Sequence, residues 1–172
     1  MPFFEQLEQA NVAYVASGAH EELPVRPSRQ LAVVTCMDAR IDVFAVLGLS
    51  LGDVHVIRTA GGRVTDDVLR SLALSCHLLG ARRVAVITHT DCGLHDPEGR
   101  LEEKMGAAMG HPPESREWCG FTSPEQAVQD DCARLDAWPD RPEAFEVAGY
   151  VLDIIDGRLR IVVPEHTVAP PA

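Results

Sequence analysis

The sequence predicts an α/β fold with a mostly parallel central β-sheet flanked by helices, an antiparallel strand at the carboxyl-terminal edge and a helical arm at the amino terminus. Three strand-like runs carry this prediction, at residues 31–35, 53–58 and 83–88. The first is a short continuous apolar run, which is typical of strands buried on both faces of a parallel sheet, and the third is predicted to be buried as well. Helical patterns separate the runs, and a β-α-β-α-β order with short crossovers favours parallel pairing.

Length and composition favour one globular domain. The chain has 172 residues, of which 46% are hydrophobic and 24% charged, so it is long enough to bury a sizeable core. We divide the predicted domain 1–172 into an arm and tether at 1–30, an α/β core at 31–164 and a loose tail at 165–172. The formal net charge of −11 argues against binding to nucleic acid or an anionic membrane, since both require a basic face.

Targeting and cysteine patterns indicate an unanchored protein in a reducing compartment. No apolar run approaches the roughly 20 residues that a membrane helix needs, and residues 1–8 lack the basic-then-apolar pattern of a signal peptide. We therefore expect a cytoplasmic location. The five cysteines are odd in number and widely spaced, which favours thiol, metal or catalytic roles over a disulfide framework.

The arm and the first helices follow from periodicity and from helix-ending residues. Apolar positions at 3–16 predict a helix that ends at Gly18. Two prolines make residues 21–29 an extended tether. Residues 41–47 resemble a short helix closed by Gly48.

The second strand leads into a glycine turn and then into the clearest helix. Gly61 and Gly62 mark the turn, and Thr65 is placed to cap the helix. We expect this helix to run until Gly80. Its apolar face repeats at Val68, Leu72, Cys76 and Leu79.

The second half of the chain predicts two helices and two strands. Residues 101–109 are weakly helical before the prolines at 112–113. Ser123 caps a helix that continues to about Ala137, with Pro124 in its first turn and Gln126 placed to close a capping box. Strands at 145–153 and 159–163 flank a tight turn, and the second is expected to be an antiparallel edge strand.

Two cysteine motifs stand at the carboxyl ends of predicted strands. Cys36 follows the first strand, and His89 and Cys92 follow the third. Ligand crevices form at that edge of open parallel sheets, so the three side chains are expected to converge. Two thiolates and one imidazole suit tetrahedral Zn²⁺ and leave a fourth position for water or for another ligand. Asp38 is the nearest candidate for that position.

The residues next to Cys36 supply a carboxylate and a guanidinium. Asp38 and Arg40 are two positions apart, so both can point into one pocket and form a charge-assisted pair. An ionised carboxylate beside a metal can orient a water molecule, and it can itself bind the metal if the guanidinium releases it. We expect Gly61, Gly62 and Gly93 to let the backbone come close to the site.

Together these motifs resemble the β-class carbonic anhydrases, most strongly their short bacterial and archaeal members. The resemblance spans residues 31–93 and rests on Cys36-x-Asp38-x-Arg40, on His89-x-x-Cys92 and on the intervening stretch at 58–62. It implies reversible hydration of CO₂ to bicarbonate and a proton, with Zn²⁺ on Cys36, His89 and Cys92 and a dyad of Asp38 and Arg40. It also implies a homodimer or larger assembly in which each amino-terminal arm lies over the partner. One departure is Thr59, where the family often has Asn.

Two other functions remain open at this point. The wider family includes hydrolases of carbonyl sulfide and carbon disulfide with the same ligand set, and the pocket walls that select the substrate are not readable from the sequence. A non-catalytic protein with a structural zinc or a redox-sensing thiol pair is the alternative from another class. Cys76 is expected to pack in the core, and no role is assigned to Cys119 or Cys132.

Overall fold

The computed structural model describes residues 1–18, 22–114 and 117–170. In these ranges the helices are α1 (Phe3–Ala16), α2 (Val43–Leu47), α3 (Asp66–Ala73), α4 (Leu101–Met109) and α5 (Pro124–Asp136). The strands are β1 (Leu31–Cys36), β2 (Val54–Thr59), β3 (Arg83–His89), β4 (Phe145–Leu152) and β5 (Leu159–Val168). A 3₁₀ turn follows β2 at Ala60–Gly62, and a π-helical turn follows α3 at Leu74–Leu78.

The strands form one five-stranded sheet in the order β2-β1-β3-β4-β5. All neighbouring pairs are parallel except β4 and β5, which are antiparallel. This arrangement confirms the predicted fold class. From β1 the chain forms β2 on one side and then crosses to form β3 on the other, so the carboxyl ends of β1 and β3 flank the point where ligand crevices form in such sheets.

The core lies on both faces of the sheet. Alternate residues of β1 belong to different apolar clusters, with Val34 on the face that α3 and α5 cover and Val33 on the opposite face. Gly149 in β4 lets α5 approach closely, because a Cβ built there would lie 2.4 Å from Val128 Cγ1. Burial on both faces explains the continuously apolar strands of the sequence.

Most helix ends lie where the sequence predicts them, but α3 ends at Ala73 instead of running as an α-helix to Gly80, and a π-helical turn continues it to Leu78. Some capping contacts also differ from those expected. Ser123 Oγ accepts from the Gln126 N–H as expected, but the Gln126 side chain donates to Asp130 instead of closing a capping box, because positions i and i+4 face each other on a helix. Thr65 occupies the N-cap of α3 without a side-chain capping bond. Asp66 and Asp67 lie in the first turn, where their negative charges complement the helix dipole.

Strand β5 is longer than predicted. The expectation of a loose tail from residue 165 is wrong for 165–168, which continue β5 to Val168. The register shifts between the pairs at Val147 and Gly149, and Pro164 lies at this bulge on an edge strand, where its missing N–H breaks no ladder bond. The rest of the predicted tail lies only partly inside the described residues, as does the tether at 21–29, whose described part contains no helix or strand. No helix in the described ranges has the length and apolarity to span a membrane.

Candidate metal centre

The structure brings Cys36, His89 and Cys92 together at the carboxyl edge of the sheet. Cys36 is the last residue of β1, His89 is the last residue of β3, and Cys92 lies in the loop that follows. One ligand atom from each residue lies within 4.8 Å of the others, and all three residues are buried. Because β1 and β3 are adjacent and parallel, the sheet itself places two of the donors side by side.

The ring of His89 is oriented with Nε2 toward the cluster. Its Nδ1 lies 2.8 Å from the Thr90 carbonyl oxygen, so we assign the ring proton to Nδ1, which donates to that oxygen. The lone pair is then on Nε2, which is buried and has no hydrogen-bond partner among the described residues. A buried polar atom without a partner is unfavourable, and a metal ion supplies the partner that this atom needs.

The two sulfur atoms have the separation of ligands to one tetrahedral ion. Cys36 Sγ and Cys92 Sγ lie 3.9 Å apart, close to the roughly 3.8 Å expected for two Zn–S bonds at a tetrahedral angle. Both cysteines are free thiols. The contact with Cys92 lowers the pKa of Cys36 and raises that of Cys92, because the two sulfurs share one proton. This donor set fits Zn²⁺.

Asp38 lies beside the cluster and is paired with Arg40. Arg40 Nε and Nη2 donate to the two carboxylate oxygens at 3.0 and 2.7 Å, and the Arg40 backbone N–H donates to Oδ1 at 2.9 Å. These bonds hold the pKa of Asp38 well below its usual range. Asp38 Oδ2 is 3.8 Å from His89 Nε2. The carboxylate therefore faces the donor atoms while Arg40 occupies both of its oxygens.

Arg58 is a site residue that sequence reasoning left without a role. From β2 its Nε donates to the Cys36 carbonyl at 2.9 Å and its Nη2 donates to the Asp38 carbonyl at 2.5 Å. The parallel register places Arg58 beside Thr35, next to the start of this loop. The sequence carried no signal for these bonds, because they depend on which strands are neighbours.

Asp91 is a second residue that was missed. Its backbone is in the left-handed region with φ 54°. Arg40 Nη1 donates to Asp91 Oδ2 at 2.8 Å, and Arg40 Nη2 donates to the Asp91 carbonyl at 3.0 Å. Arg40 thus connects the loop after β1 with the loop after β3.

The three glycines predicted to let the backbone approach the site differ in their surroundings. Gly62 has φ 70°, and a Cβ there would lie 3.0 Å from Cys36 N and from the Ile87 carbonyl oxygen. Gly61 also has φ 70°, and its Cβ would lie 3.1 Å from a Leu94 methyl carbon. Nothing lies within 4 Å of a Cβ at Gly93, so the prediction of a close approach is wrong there.

The other cysteines lie away from the cluster. Cys76 and Cys132 pack in the apolar cluster that α3 and α5 cover, which confirms the packing interpretation of Cys76. Burial raises the pKa of Cys76 to about 11 and that of Cys132 to about 12, so both remain protonated thiols near neutral pH.

The chain is similar to several known proteins. The family model described as carbonic anhydrase matches residues 31–111. Beta-carbonic anhydrase 1 of Mycobacterium tuberculosis is 39% identical over 159 residues, which cover 90% of this chain and 94% of that protein. A carbon disulfide hydrolase of an Acidianus species is 32% identical over 157 residues, which cover 77% of each chain. A crystal structure of carbonic anhydrase from Streptococcus mutans superposes with a TM-score of 0.87 at 39% identity and covers 94% of this chain and 98% of that chain.

Proposed function

We propose a reaction for this chain from one premise: the chain belongs to the β-carbonic anhydrase family. It catalyses the reversible hydration of CO₂, in which a water oxygen bonds to carbon, an electron pair of a C=O bond moves to oxygen, and a proton leaves. The products are bicarbonate and a proton. Beta-carbonic anhydrase 1, the relative named for this activity, is 39% identical to the chain, and the match covers 94% of that relative.

One observation carries the proposal. A buried cluster of two thiols and an imidazole lies beside a carboxylate that is paired with Arg40. The distance from His89 Nε2 to Asp38 Oδ2 is 3.8 Å. Among the described residues the cluster has three members. Three protein ligands with a fourth position for an exchangeable group are typical of catalytic zinc, whereas structural zinc has four protein ligands.

Cys36, His89 and Cys92 would hold the zinc. When bound, the metal would act as a Lewis acid that makes water nucleophilic near neutral pH. The Thr90 carbonyl keeps the His89 proton on Nδ1 and so keeps Nε2 available as a ligand. Arg58 holds the backbone on both sides of Met37 through the carbonyls of Cys36 and Asp38, and this backbone carries the Cys36 thiol and the Asp38 carboxylate.

Asp38 orients the attacking water. Because Arg40 holds the pKa of this carboxylate well below its usual range, Asp38 remains ionised and accepts a hydrogen bond from water instead of storing a proton. Water oriented in this way presents an oxygen lone pair to the carbon of CO₂. The proton that is released then passes to solvent or buffer. If Arg40 released Asp38, the carboxylate, whose Oδ2 lies 3.8 Å from His89 Nε2, would be available as a fourth ligand to the zinc.

Hydrolysis of carbon disulfide or carbonyl sulfide is the second candidate. It is favoured by the 32% identity with a carbon disulfide hydrolase over 77% of each chain. These molecules are linear and apolar like CO₂ and are attacked at carbon in the same way. The identity is higher and the coverage larger for the carbonic anhydrase, so CO₂ is the substrate we propose.

To test this, one zinc-loaded preparation is assayed with each of three substrates: CO₂, carbonyl sulfide and carbon disulfide. We expect CO₂ hydration to exceed the release of sulfide from carbonyl sulfide or carbon disulfide at equal substrate concentration. Preferential turnover of a sulfur-containing substrate would assign the second candidate. Tightly held zinc with no turnover of any of the three would indicate a structural site, and loss of metal with oxidation of the thiols would indicate a redox sensor.

A second copy of the chain is the partner we propose. None of the residues of α1 is buried, and the helix exposes several large apolar side chains: Phe3, Phe4, Leu7, Val12 and Val15. A groove of about 360 Å³ crosses the sheet face between Leu31 and Leu159, past Ala85 and Tyr150. An exposed apolar arm and an exposed apolar groove on one chain favour exchange of arms in a homodimer or a larger assembly.

We place the protein in the cytoplasm. All five cysteines are free, and thiols that are to bind a metal must remain reduced. Fractionation of cells that express the chain, with its zinc content measured in each fraction, tests this placement. Recovery in an oxidising compartment would contradict it.

A further inference from the structure

Arg40 binds two carboxylates from two different loops. Its Nε and Nη2 donate to Asp38, and its Nη1 donates to Asp91 Oδ2 at 2.8 Å. Nη2 also donates to the Asp91 backbone carbonyl at 3.0 Å. Every nitrogen of the guanidinium is therefore engaged. A planar group with several fixed donors takes one orientation only when its acceptors are themselves fixed.

The backbone next to Asp91 is held by contacts that do not involve Arg40. The preceding residue, Thr90, is bound to the end of β4 and to the segment after it. Its N–H donates to the Leu152 carbonyl, and its Oγ1 accepts from the Ile154 N–H. The left-handed backbone at Asp91, with φ 54°, turns its carbonyl toward Arg40. Asp is among the few residues other than glycine that adopt this conformation readily.

Asp38 alone would hold Arg40 less firmly. The two residues are two positions apart in one loop, so their pair can move as a unit, and 47% of the Arg40 side chain is exposed to solvent. A long exposed side chain loses substantial rotamer entropy when it is held in one position. The bonds to Asp91 connect this pair to the loop that carries His89 and Cys92.

We propose that Asp91 is a positioning residue for the reaction: it holds the Arg40 guanidinium where Nε and Nη2 face Asp38. The kinetic consequence rests on the proposed function, whereas the structural consequence does not. Without the carboxylate of Asp91, Asp91 holds Arg40 only through its backbone carbonyl. The pairing of Asp38 with Arg40 then becomes intermittent, and the direction of the Asp38 carboxylate is no longer fixed.

The test compares two substitutions at Asp91 in the zinc-loaded full-length chain. Asp91→Gly keeps the left-handed backbone and the carbonyl but removes the carboxylate, and Asp91→Asn keeps an acceptor oxygen without the charge. The matched control is Asp67→Asn, which removes another exposed carboxylate paired with an arginine, Arg70, on α3. Two quantities are measured, the kcat and KM for CO₂ hydration and the Nε–Hε resonance of Arg40 in a ¹H–¹⁵N spectrum. That resonance is assigned by its absence in Arg40→Lys.

We expect Asp91→Gly to lower kcat about tenfold with little change in KM, near the lower end of the effect of removing residues that orient metal-site groups. Asp91→Asn should have a smaller effect, and Asp67→Asn none. In Asp91→Gly the Arg40 resonance should shift and broaden through faster exchange with water. An unchanged resonance in both Asp91 variants would overturn the proposal, whatever happens to kcat. Since this readout needs no turnover, it decides the role of Asp91 even if the wild-type chain fails to hydrate CO₂.

Discussion

Cys36 Sγ and Cys92 Sγ lie 3.9 Å apart although 56 positions separate the two residues in the chain. The distance follows from the parallel pairing of β1 and β3, which ends both strands at one edge of the sheet. Gly62 lies between these strand ends, with its Cβ position 3.0 Å from Cys36 N and from the Ile87 carbonyl oxygen. The spacing of the thiols is therefore a property of the sheet as much as of the two loops.

Replacement of Cys92 by Ser should remove most of the bound zinc and abolish CO₂ hydration. A hydroxyl is a poor ligand for zinc compared with a thiolate, and the remaining two donors do not complete the set. Zinc content is measured by atomic emission after gel filtration. Cys119→Ser is the control, because Cys119 is only partly buried and lies outside the cluster, so it should retain full zinc. Full occupancy in Cys92→Ser would refute the ligand assignment.

Asp38→Asn should leave zinc bound and lower kcat about 100-fold, at the upper end of the effect of removing a residue that orients a group at a metal site. The amide presents an N–H₂ group on the side where the carboxylate only accepts, so water is no longer oriented in the same way. The variant should also change the pH dependence of kcat. Stopped-flow assays across pH measure both effects, and unaltered turnover at full zinc occupancy would exclude the dyad.

Gly62→Ala should destabilise the fold by about 2 to 4 kcal/mol, from a left-handed backbone at an alanine and from overpacking. The new methyl would press on the backbone of both ligand-bearing strands, so zinc affinity should fall as well. Gly93→Ala is the contrast, because nothing lies within 4 Å of its Cβ. Urea unfolding of both variants measures the difference. Equal stability of the two would show that the close approach at Gly62 has no energetic consequence.

The link between β5 and α5 should weaken as pH rises. The contact with Asp136 raises the pKa of His166, and the imidazolium donates from Nε2 to Asp136 Oδ1 at 3.0 Å and from Nδ1 to the Pro164 carbonyl at 3.1 Å. The folded pKa lies above the unfolded value of about 6.5. The stabilisation is therefore fully present below that pH and is lost as pH rises through the folded pKa.

For this partly exposed pair the contribution should be about 0.2 to 1 kcal/mol. It is measured as the difference in unfolding free energy between wild type and His166→Gln at about pH 5.5 and about pH 8.5, on either side of the histidine range. The difference should be larger at the lower pH. A difference that grows with pH would contradict the sign of this argument.

Most of the fold was predictable from the sequence because its determinants are local. Continuous apolar runs identify buried strands, and Gly48 ends α2 with a φ of 63° as its position suggested. The continuation of β5 past Pro164 was not predictable in this way. A proline in the interior of a sheet argues against a strand, and Pro164 is acceptable because it lies at the bulge opposite Val147 and Gly149 on an edge strand.

The part of the site that depends on residue type was predictable from the sequence. The part that depends on the register of neighbouring strands was not. Two thiols and an imidazole that follow parallel strands indicate a metal site at the carboxyl edge of the sheet. The pairing of Asp38 with Arg40 was predictable because the two residues are close in the chain. Arg58 and Asp91 reach the site from other elements. Neither bond is visible without knowing that β1 lies between β2 and β3.

The most direct test of the central claim is stopped-flow hydration of CO₂ with a pH indicator. The protein should be fully loaded with zinc and assayed in alkaline buffer. We predict rapid acidification that a zinc chelator or an inhibitory anion abolishes. Zinc-loaded protein that acidifies the solution no faster than buffer would contradict the assignment of this site to CO₂ hydration.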